Sequence, residues 1–222
     1  MTVDDAPVVV ITEQDILTKA MFYARGYRTI TPFDKTYGQD VDLVVFTGGA
    51  DVNPEMYGEV RLDGTGIDRS RDGRDNAVFD FYDKVPKVGI CRGSQYLNVK
   101  NGGKLWQHVN NHGRYHDLTN LLKIPGTPFD YDTKVHVSST HHQMMIPPEH
   151  GTVIGIAAEA TVFKGGVPRD NPEFDTEVVY FQDTNTLCCQ FHPEYLPTQS
   201  DCQKYFFSLL ETLVLKDVAP WR

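Results

Sequence analysis

Short apolar runs alternate along the chain with longer segments of mixed polarity. The runs at residues 8–12, 41–47 and Lys87–Ile90 are rich in β-branched residues, and each predicts a buried strand. Residues 14–25 and 74–83 lie between these runs and predict helices. Thr12 is a possible N-cap for the first helix, and Gly26 is a possible stop.

The C-terminal half continues this alternation. Residues 134–138 alternate like a strand, and the runs 177–182 and 187–191 flank Asp183-Thr184-Asn185 as a predicted hairpin. A last helix starts near Thr198 and carries an apolar stripe that predicts a core-facing side, made of Cys202, Tyr205, Phe206, Leu209, Leu210 and Leu213. The order predicts an α/β fold: a mostly parallel sheet with helices on both faces and functional residues at the carboxyl ends of strands.

Composition narrows the class of protein. The 222 residues show no composition break, so a single domain over residues 1–222 is expected. The net charge of −9 and the pI near 5.3 argue against nucleic-acid or anionic-membrane partners. No apolar run resembles a signal peptide or approaches the ~18 residues of a membrane span. The four cysteines do not form a disulfide-framework pattern, so a cytoplasmic protein is expected.

The strongest candidate for chemistry is Cys91. Gly89 and Gly93 flank it in a G-x-C-x-G pattern, directly after a predicted strand and before a predicted helix that begins at Arg92. This is the pattern of a nucleophile elbow, in which a sharp turn exposes one side chain at a helix N-terminus, where a thiolate is favoured. Taken alone, the same pattern also fits a buried structural cysteine.

A candidate base follows near the C-terminus, at His192-Pro193-Glu194. Pro193 disfavours the helical region for His192, so we expect an extended segment in which His192 and Glu194 lie side by side. The carboxylate would then orient the imidazole, which leaves the other ring nitrogen free to serve a cysteine nucleophile. The alternative is an ordinary loop at a strand end.

A glycine pair supplies a candidate oxyanion site. Gly48 and Gly49 end the run at 41–47, so backbone amides there can approach a substrate closely. The amides of Gly49 and Arg92 are candidates for stabilising a tetrahedral intermediate. A plain strand-to-loop turn is the alternative.

Together, and in this order, the three motifs resemble the class I, or triad, glutamine amidotransferases. The resemblance spans about residues 41–195 and implies their flavodoxin-like α/β fold. It also implies that Cys91 is the nucleophile, His192 the general base and acid, and Glu194 the residue that orients His192. Gln95, in the position of the family's glutamine, is implied to help form the γ-glutamyl pocket.

A narrower resemblance points to the γ-glutamyl-γ-aminobutyrate hydrolases of the peptidase C26 group. It rests on residues 48–54 (GGADVNP), 57–59 (YGE), 68–72 (DRSRD), 102–107 (GGKLWQ) and 139–143 (STHHQ). The resemblance implies that the last segment, with Ser139, Thr140, His141 and His142, holds the glutamyl end of a substrate together with Gly48. The chain departs from the group at Asp75, where glutamate is usual, at Gln107-His108, where Gln-Asp is common, and in its shorter length.

Two other patterns bear on metal and loop assignments. His108, His112 and His116 recur every four residues, as metal ligands on one helix face would, but Asn110, Asn111 and Gly113 argue against a helix. No carboxylate or thiolate clearly completes the set, so we expect no metal, and the implied chemistry needs no cofactor. The 64–66 and 164–172 segments are expected to be loops.

Three functions therefore compete. The first is a free-standing cysteine hydrolase of γ-glutamyl amide bonds that acts through a γ-glutamyl thioester. The second is a glutaminase component that supplies ammonia to a separate synthase partner, and the third is a non-enzymatic binding module, which the intact Cys91, His192 and Glu194 disfavour. A small γ-glutamyl substrate is the expected ligand in the first two, and a homodimer is the other candidate assembly.

Overall fold

The structure is a computed structural model, which describes residues 6–34, 40–159, 164–165 and 174–216. The described helices are α1 (Ile16–Ala24), α2 (Arg69–Phe81), α3 (Arg92–Lys100) and α4 (Asp201–Leu209). The described strands are β1 (Val8–Ile11), β2 (Arg28–Ile30), β3 (Leu43–Phe46), β4 (Lys87–Ile90), β5 (Lys104–Trp106), β6 (His108–Val109), β7 (His116–Asn120), β8 (Lys134–Val137), β9 (Met144–Ile146), β10 (Thr152–Ala157), β11 (Lys164–Gly165), β12 (Thr176–Phe181) and β13 (Thr186–Cys189).

A nine-stranded sheet forms the centre of the fold, in the order β2-β1-β3-β4-β13-β12-β10-β7-β8. The first five strands in this order pair in parallel, and the remaining pairs are antiparallel. The sheet is therefore mixed: the expected parallel pairing holds for these five strands, and the other pairs are antiparallel. The pairing of β12 with β13 confirms the expected C-terminal hairpin.

Helices cover both faces of the sheet, as the sequence predicts. Val9 and Ile11 of β1 pack into one buried cluster with residues of α1 and α4. Their neighbours Val8 and Val10 pack into a second cluster with residues of α2 and α3. Because successive side chains of a strand point to opposite faces, the apolar runs serve two cores at once.

Helix starts differ from the sequence expectation. Asp15, not Thr12, caps α1, because its carboxylate accepts hydrogen bonds from two backbone amides of the first turn. Asp68 caps α2 in the same way, so this helix begins five residues before the predicted 74, and Ser200 caps α4. Within the described ranges, no helix combines the length and apolar composition that a bilayer crossing requires.

Candidate active site

Cys91 lies at the sharp turn between β4 and α3. Its backbone has φ 51° and ψ −111°, a strained region for a residue with a Cβ, and it stands at the N-cap position of α3. A Cβ on Gly93 would collide with the backbone of Phe46, and one on Gly89 would collide with the backbone of Gly93. The sequence pattern thus folds as the predicted strand–turn–helix, with the thiol at a helix N-terminus.

His192 and Glu194 meet by a different local geometry from the expected extended segment. His192 has φ −109° and ψ 87°, outside the helical region, but Pro193–Tyr195 forms a 3₁₀ turn. The turn still brings the Glu194 carboxylate to the ring, with 2.6 Å between Oε1 and His192 Nδ1. Ser138 holds the backbone of His192 by hydrogen bonds, and the Tyr195 ring stacks on the imidazole at 4.3 Å between centroids.

The imidazole of His192 interacts with Cys91. Burial disfavours the imidazolium, but the interactions with Cys91 and with the Glu194 carboxylate outweigh burial and raise the His192 pKa to about 10. The ring is therefore held in its charged, proton-donating form at neutral pH. This is the state that protonates a leaving group after attack by a thiolate.

The other three cysteines are buried free thiols. Burial raises the pKa of Cys202 to about 12 and raises the pKa of Cys188 and Cys189 well above the ordinary value for a thiol. All three therefore stay protonated near neutral pH, and protonated thiols are poor nucleophiles.

A cavity of about 310 Å³ opens beside Cys91. It brings together seven of the predicted site residues, namely Gly49, Cys91, Arg92, Gln95, Thr140, His141 and His142. Gly49 has φ +149°. Gln95 is buried, and its side-chain amide donates to the Gln143 carbonyl at 3.0 Å. The glycine turn, the elbow and the segment after β8 thus converge on one space.

Two predicted substrate-binding residues lie outside the lining of this cavity. Gly48 faces His192: a Cβ there would lie 2.8 Å from the ring carbon Cε1. Ser139 is buried, and its hydroxyl donates to the His112 carbonyl at 2.6 Å. Gly48 therefore makes room for the imidazole, and Ser139 holds the loop that contains His112.

Sequence reasoning assigned no role to the charged network behind Arg92. The Arg92 side chain is buried and forms ion pairs with Asp72 and Asp75. The Asp75 carboxylate also accepts from Arg71 Nε at 3.0 Å. Asp75, which stands where glutamate is usual in the resembled group, thus forms an ion pair that holds Arg92, the residue after Cys91. Within the DRSRD segment, Arg71 and Asp72 were the available signal.

Two further features of the site were not predicted. Asp51 lines the cavity, and its carboxylate lies 3.1 Å from His142 Nε2 and accepts from the Gly66 amide at 2.7 Å. A second cavity, of about 390 Å³, borders the first at Thr140 and is lined by Arg114, Tyr115 and Tyr195 among others. Asp51 was visible within the GGADVNP motif, whereas no sequence signal marked the second cavity.

The regularly spaced histidines do not share a helix. His108 belongs to β6, His112 lies in the following loop and His116 begins β7. His112 and His116 nevertheless approach one buried carboxylate, that of Glu177 in β12. Lys164 and Gly165 form the short strand β11 where a loop was expected, and residues 166–172 lie outside the described residues.

Comparison with known proteins places this chain in a family. A family model described as Peptidase C26 matches residues 31–194. YvdE of Lactococcus lactis subsp. lactis (strain IL1403), described as a glutamine amidotransferase-like protein, is 40% identical over 192 residues, which cover 74% of this chain and 73% of that protein.

Two solved structures share the fold at low sequence identity. A Thermoplasma acidophilum protein described as part of a GMP synthase has a TM-score of 0.65 at 16% identity, covering 96% of this chain and 97% of the other. A glutamine amidotransferase from Thermotoga maritima has a TM-score of 0.60 at 14% identity, covering 97% and 87%. Because the family model matches most of the chain and the fold agrees with it, this chain belongs to the peptidase C26 family of glutamine amidotransferase-like proteins.

Proposed function

We propose that the protein is a cysteine hydrolase that cleaves γ-glutamyl amide bonds without a partner. One observation carries the proposal: Cys91 lies on a strained elbow and interacts with His192, whose Nδ1 lies 2.6 Å from the Glu194 carboxylate. Nucleophile, base and orienting carboxylate are assembled in the isolated chain. A hydrolase that acts alone needs this arrangement in the chain itself, without a partner to complete it.

The reaction follows from the contacts. The Cys91 sulfur attacks the γ-carbonyl carbon, and the carbonyl electron pair moves to the oxygen, where the Gly49 and Arg92 amides donate to it. Collapse of this intermediate breaks the C–N bond, and His192 gives its proton to the leaving nitrogen. Neutral His192 then takes a proton from water as it attacks the thioester, which releases glutamate and restores the thiolate–imidazolium pair.

The cavity beside Cys91 suits the amino-acid end of the substrate. Asp51 offers a carboxylate to the α-ammonium group, while the side chain of Gln95 and the segment 140–143 offer polar groups to the rest of the glutamyl moiety. The hydrogen bond from Gly66 and the contact with His142 hold the Asp51 carboxylate in place. A fixed charge of this kind favours substrates with a free α-amino group.

The second cavity suits the leaving amine. Tyr195 stacks on His192, so this cavity begins beside the group that protonates the amine. Tyr115 and Tyr195 offer aromatic surface, and Arg114 offers a cation at the same place. An amine with a short aliphatic chain and a terminal carboxylate, such as γ-aminobutyrate, matches both features.

The alternative is a glutaminase that passes ammonia to a synthase. One of the solved structures that share this fold is described as part of a GMP synthase, which keeps that function in view. Ammonia, however, would not need a cavity lined by two tyrosines and an arginine. The assembled triad and this cavity favour the hydrolase.

Assays on the purified protein separate the two functions. We expect at least one γ-glutamyl amine to be cleaved faster than glutamine, with no partner present. Cys91→Ala should abolish turnover, and an electrophilic glutamine analogue should label wild type once, at Cys91. Slow glutamine hydrolysis alone, rising sharply when a synthase is added, would support the ammonia donor. A label on Cys202 would overturn the choice of nucleophile.

Arg114 tests the acceptor cavity. Arg114→Gln should raise KM for γ-glutamyl-γ-aminobutyrate by roughly tenfold or more, since a charge-assisted hydrogen bond contributes about 1.5–3 kcal/mol. The same variant should leave KM for an uncharged γ-glutamyl alkylamine unchanged. Equal effects on both substrates would contradict the pairing of Arg114 with the carboxylate.

A further inference from the structure

Three imidazoles converge on one buried carboxylate behind the cavity beside Cys91, called the glutamyl cavity below. His112 Nδ1, His116 Nε2 and His141 Nε2 lie 3.2, 3.3 and 3.5 Å from the same oxygen, Oε1 of Glu177. His112, His141 and Glu177 are buried, and His116 is mostly so. The residues come from the loop before β7, the segment after β8 and strand β12, so the cluster joins three distant parts of the chain.

Hydrogen bonds on the far side of two rings decide where their protons lie. His141 Nδ1 is 2.8 Å from the Gln143 carbonyl, which can only accept, so this nitrogen carries the hydrogen. His112 Nε2 is 3.0 Å from the Asp175 carboxylate and donates to it in the same way. In the neutral rings, the nitrogens that face Glu177 therefore present lone pairs to an anionic oxygen.

The facing atoms have no other partner among the described residues. His112 Nδ1, His116 Nε2, His141 Nε2 and both oxygens of Glu177 are buried without a hydrogen bond of ordinary geometry. Lone pairs that converge on a carboxylate in a buried space repel one another unless a proton or a metal cation lies between them. The cluster thus has the electrostatic character of a cation site.

The spacing and the outer contacts match a metal centre. Tetrahedral zinc bonds of about 2.0–2.1 Å place neighbouring ligand atoms about 3.3 Å apart. The distances from Glu177 Oε1 to the nitrogens of His112 and His141 are 3.2 and 3.5 Å, and one ligand atom from each residue lies within 4.8 Å of the others. Histidine ligands usually donate their other N–H to a carboxylate or a backbone carbonyl, as His112 and His141 do here.

We propose that His112, His141 and Glu177 bind a divalent transition-metal ion of the zinc class. Imidazole nitrogens with one carboxylate suit Zn²⁺ and its first-row neighbours better than Mg²⁺ or Ca²⁺, which prefer oxygen ligands. His116 lies outside this group of three, although its Nε2 is 3.3 Å from the same carboxylate oxygen. The sequence pattern of His112 and His116 lacked a nearby carboxylate, and Glu177, far along the chain, supplies it.

The ion has a structural role next to the glutamyl cavity. The Gln143 carbonyl that holds His141 also accepts from the side chain of Gln95 at 3.0 Å. The His112 carbonyl accepts from the His141 amide at 3.0 Å and from Ser139 at 2.6 Å. Binding at His112 and His141 would therefore fix the segment 139–143 against α3, the helix that begins at Arg92. The metal proposal itself is independent of the proposed reaction.

Metal content tests the site directly. The tag-free protein is stripped with a chelator, incubated with Zn²⁺ alone, desalted and analysed by elemental mass spectrometry. We expect about one ion per chain, as a buried site with three protein ligands retains its metal. Loading with Co²⁺ instead should give the intense visible absorption of a tetrahedral ion. Wild type that retains no Zn²⁺ after desalting would overturn the proposal in favour of shared protons in the cluster.

Variants locate the site. Glu177→Gln and His112→Asn should lose the ion, whereas the control His136→Asn, at an exposed histidine paired with Asp117, should retain it. Asp175→Asn keeps every ligand and should weaken Zn²⁺ affinity by ~10–100-fold. The circular dichroism spectrum of Asp175→Asn should be unchanged, so its lower Zn²⁺ affinity tests the site even if a ligand variant fails to fold. Unchanged Zn²⁺ retention in folded Glu177→Gln, or unchanged affinity in Asp175→Asn, would place the ion elsewhere.

Discussion

A single methyl group added at Gly48 should disable the site without unfolding the protein. An ideal Cβ at this position lies 2.8 Å from His192 Cε1, well inside van der Waals contact. The ring cannot retreat freely, because Glu194 holds Nδ1 at 2.6 Å and Tyr195 stacks on its face. Gly48→Ala should therefore displace the imidazole from Cys91 by roughly 0.5–1 Å. A misplacement of about 1 Å costs on the order of 10²-fold in rate, which is about 2.7 kcal/mol in the barrier.

The assay compares kcat on the γ-glutamyl amine that wild type cleaves fastest, together with the rate of Cys91 labelling by a glutamine analogue. KM should change little, because Gly48 does not line the glutamyl cavity. Gly73→Ala is the matched control: it lies inside α2 with nothing within 4 Å of the added Cβ, and it should stabilise the fold by about 0.5–1 kcal/mol at unchanged kcat. Gly48→Ala with kcat within twofold of wild type would refute the reasoning.

Three further predictions concern charge. The pKa of His192 is raised to about 10, so the contribution of its charge to folding stability is complete below the unfolded value of about 6.5 and is lost as pH rises through about 10. kcat/KM should fall over the same alkaline pH range, and Glu194→Gln should shift this fall to lower pH. Asp75→Asn leaves buried guanidinium groups without their carboxylate and should cost about 3–5 kcal/mol in urea unfolding, whereas Asp80→Asn, at an exposed carboxylate, should change it by less than about 0.5 kcal/mol. Asp51→Asn should raise KM by roughly tenfold or more at constant kcat, and an unchanged KM would remove Asp51 from α-ammonium binding.

The elements of the parallel half could be predicted because their signals are local. The runs around β1, β3 and β4 are continuous and apolar, as strands buried on both faces must be. The start of α2 was missed because that helix is polar along much of its length, and only the Asp68 cap marks its beginning. The antiparallel pairing of β7, β8 and β10 could not be read from the sequence, because it depends on contacts between distant segments.

The candidate site divides along the same line. Cys91 and its glycines form a local pattern, and Glu194 is close enough in sequence to His192 to reach it through a 3₁₀ turn as well as through a strand. The predicted contact was therefore correct although the predicted backbone was not. A two-residue separation tolerates either geometry, because the carboxylate needs only to reach one ring nitrogen.

The histidine cluster shows the limit of such local reasoning. A repeat of four residues suggested ligands on one helix face, and without a helix the sequence offered no reason to group His112 with His141 or Glu177. The grouping arises because β7, β8 and β12 belong to one sheet, so the segments that flank β7 and β8 meet a side chain of β12 beneath the cavity. Strands that can be predicted from local sequence thus bring together a site that cannot. The Zn²⁺ retention experiment tests whether this cluster binds a metal cation.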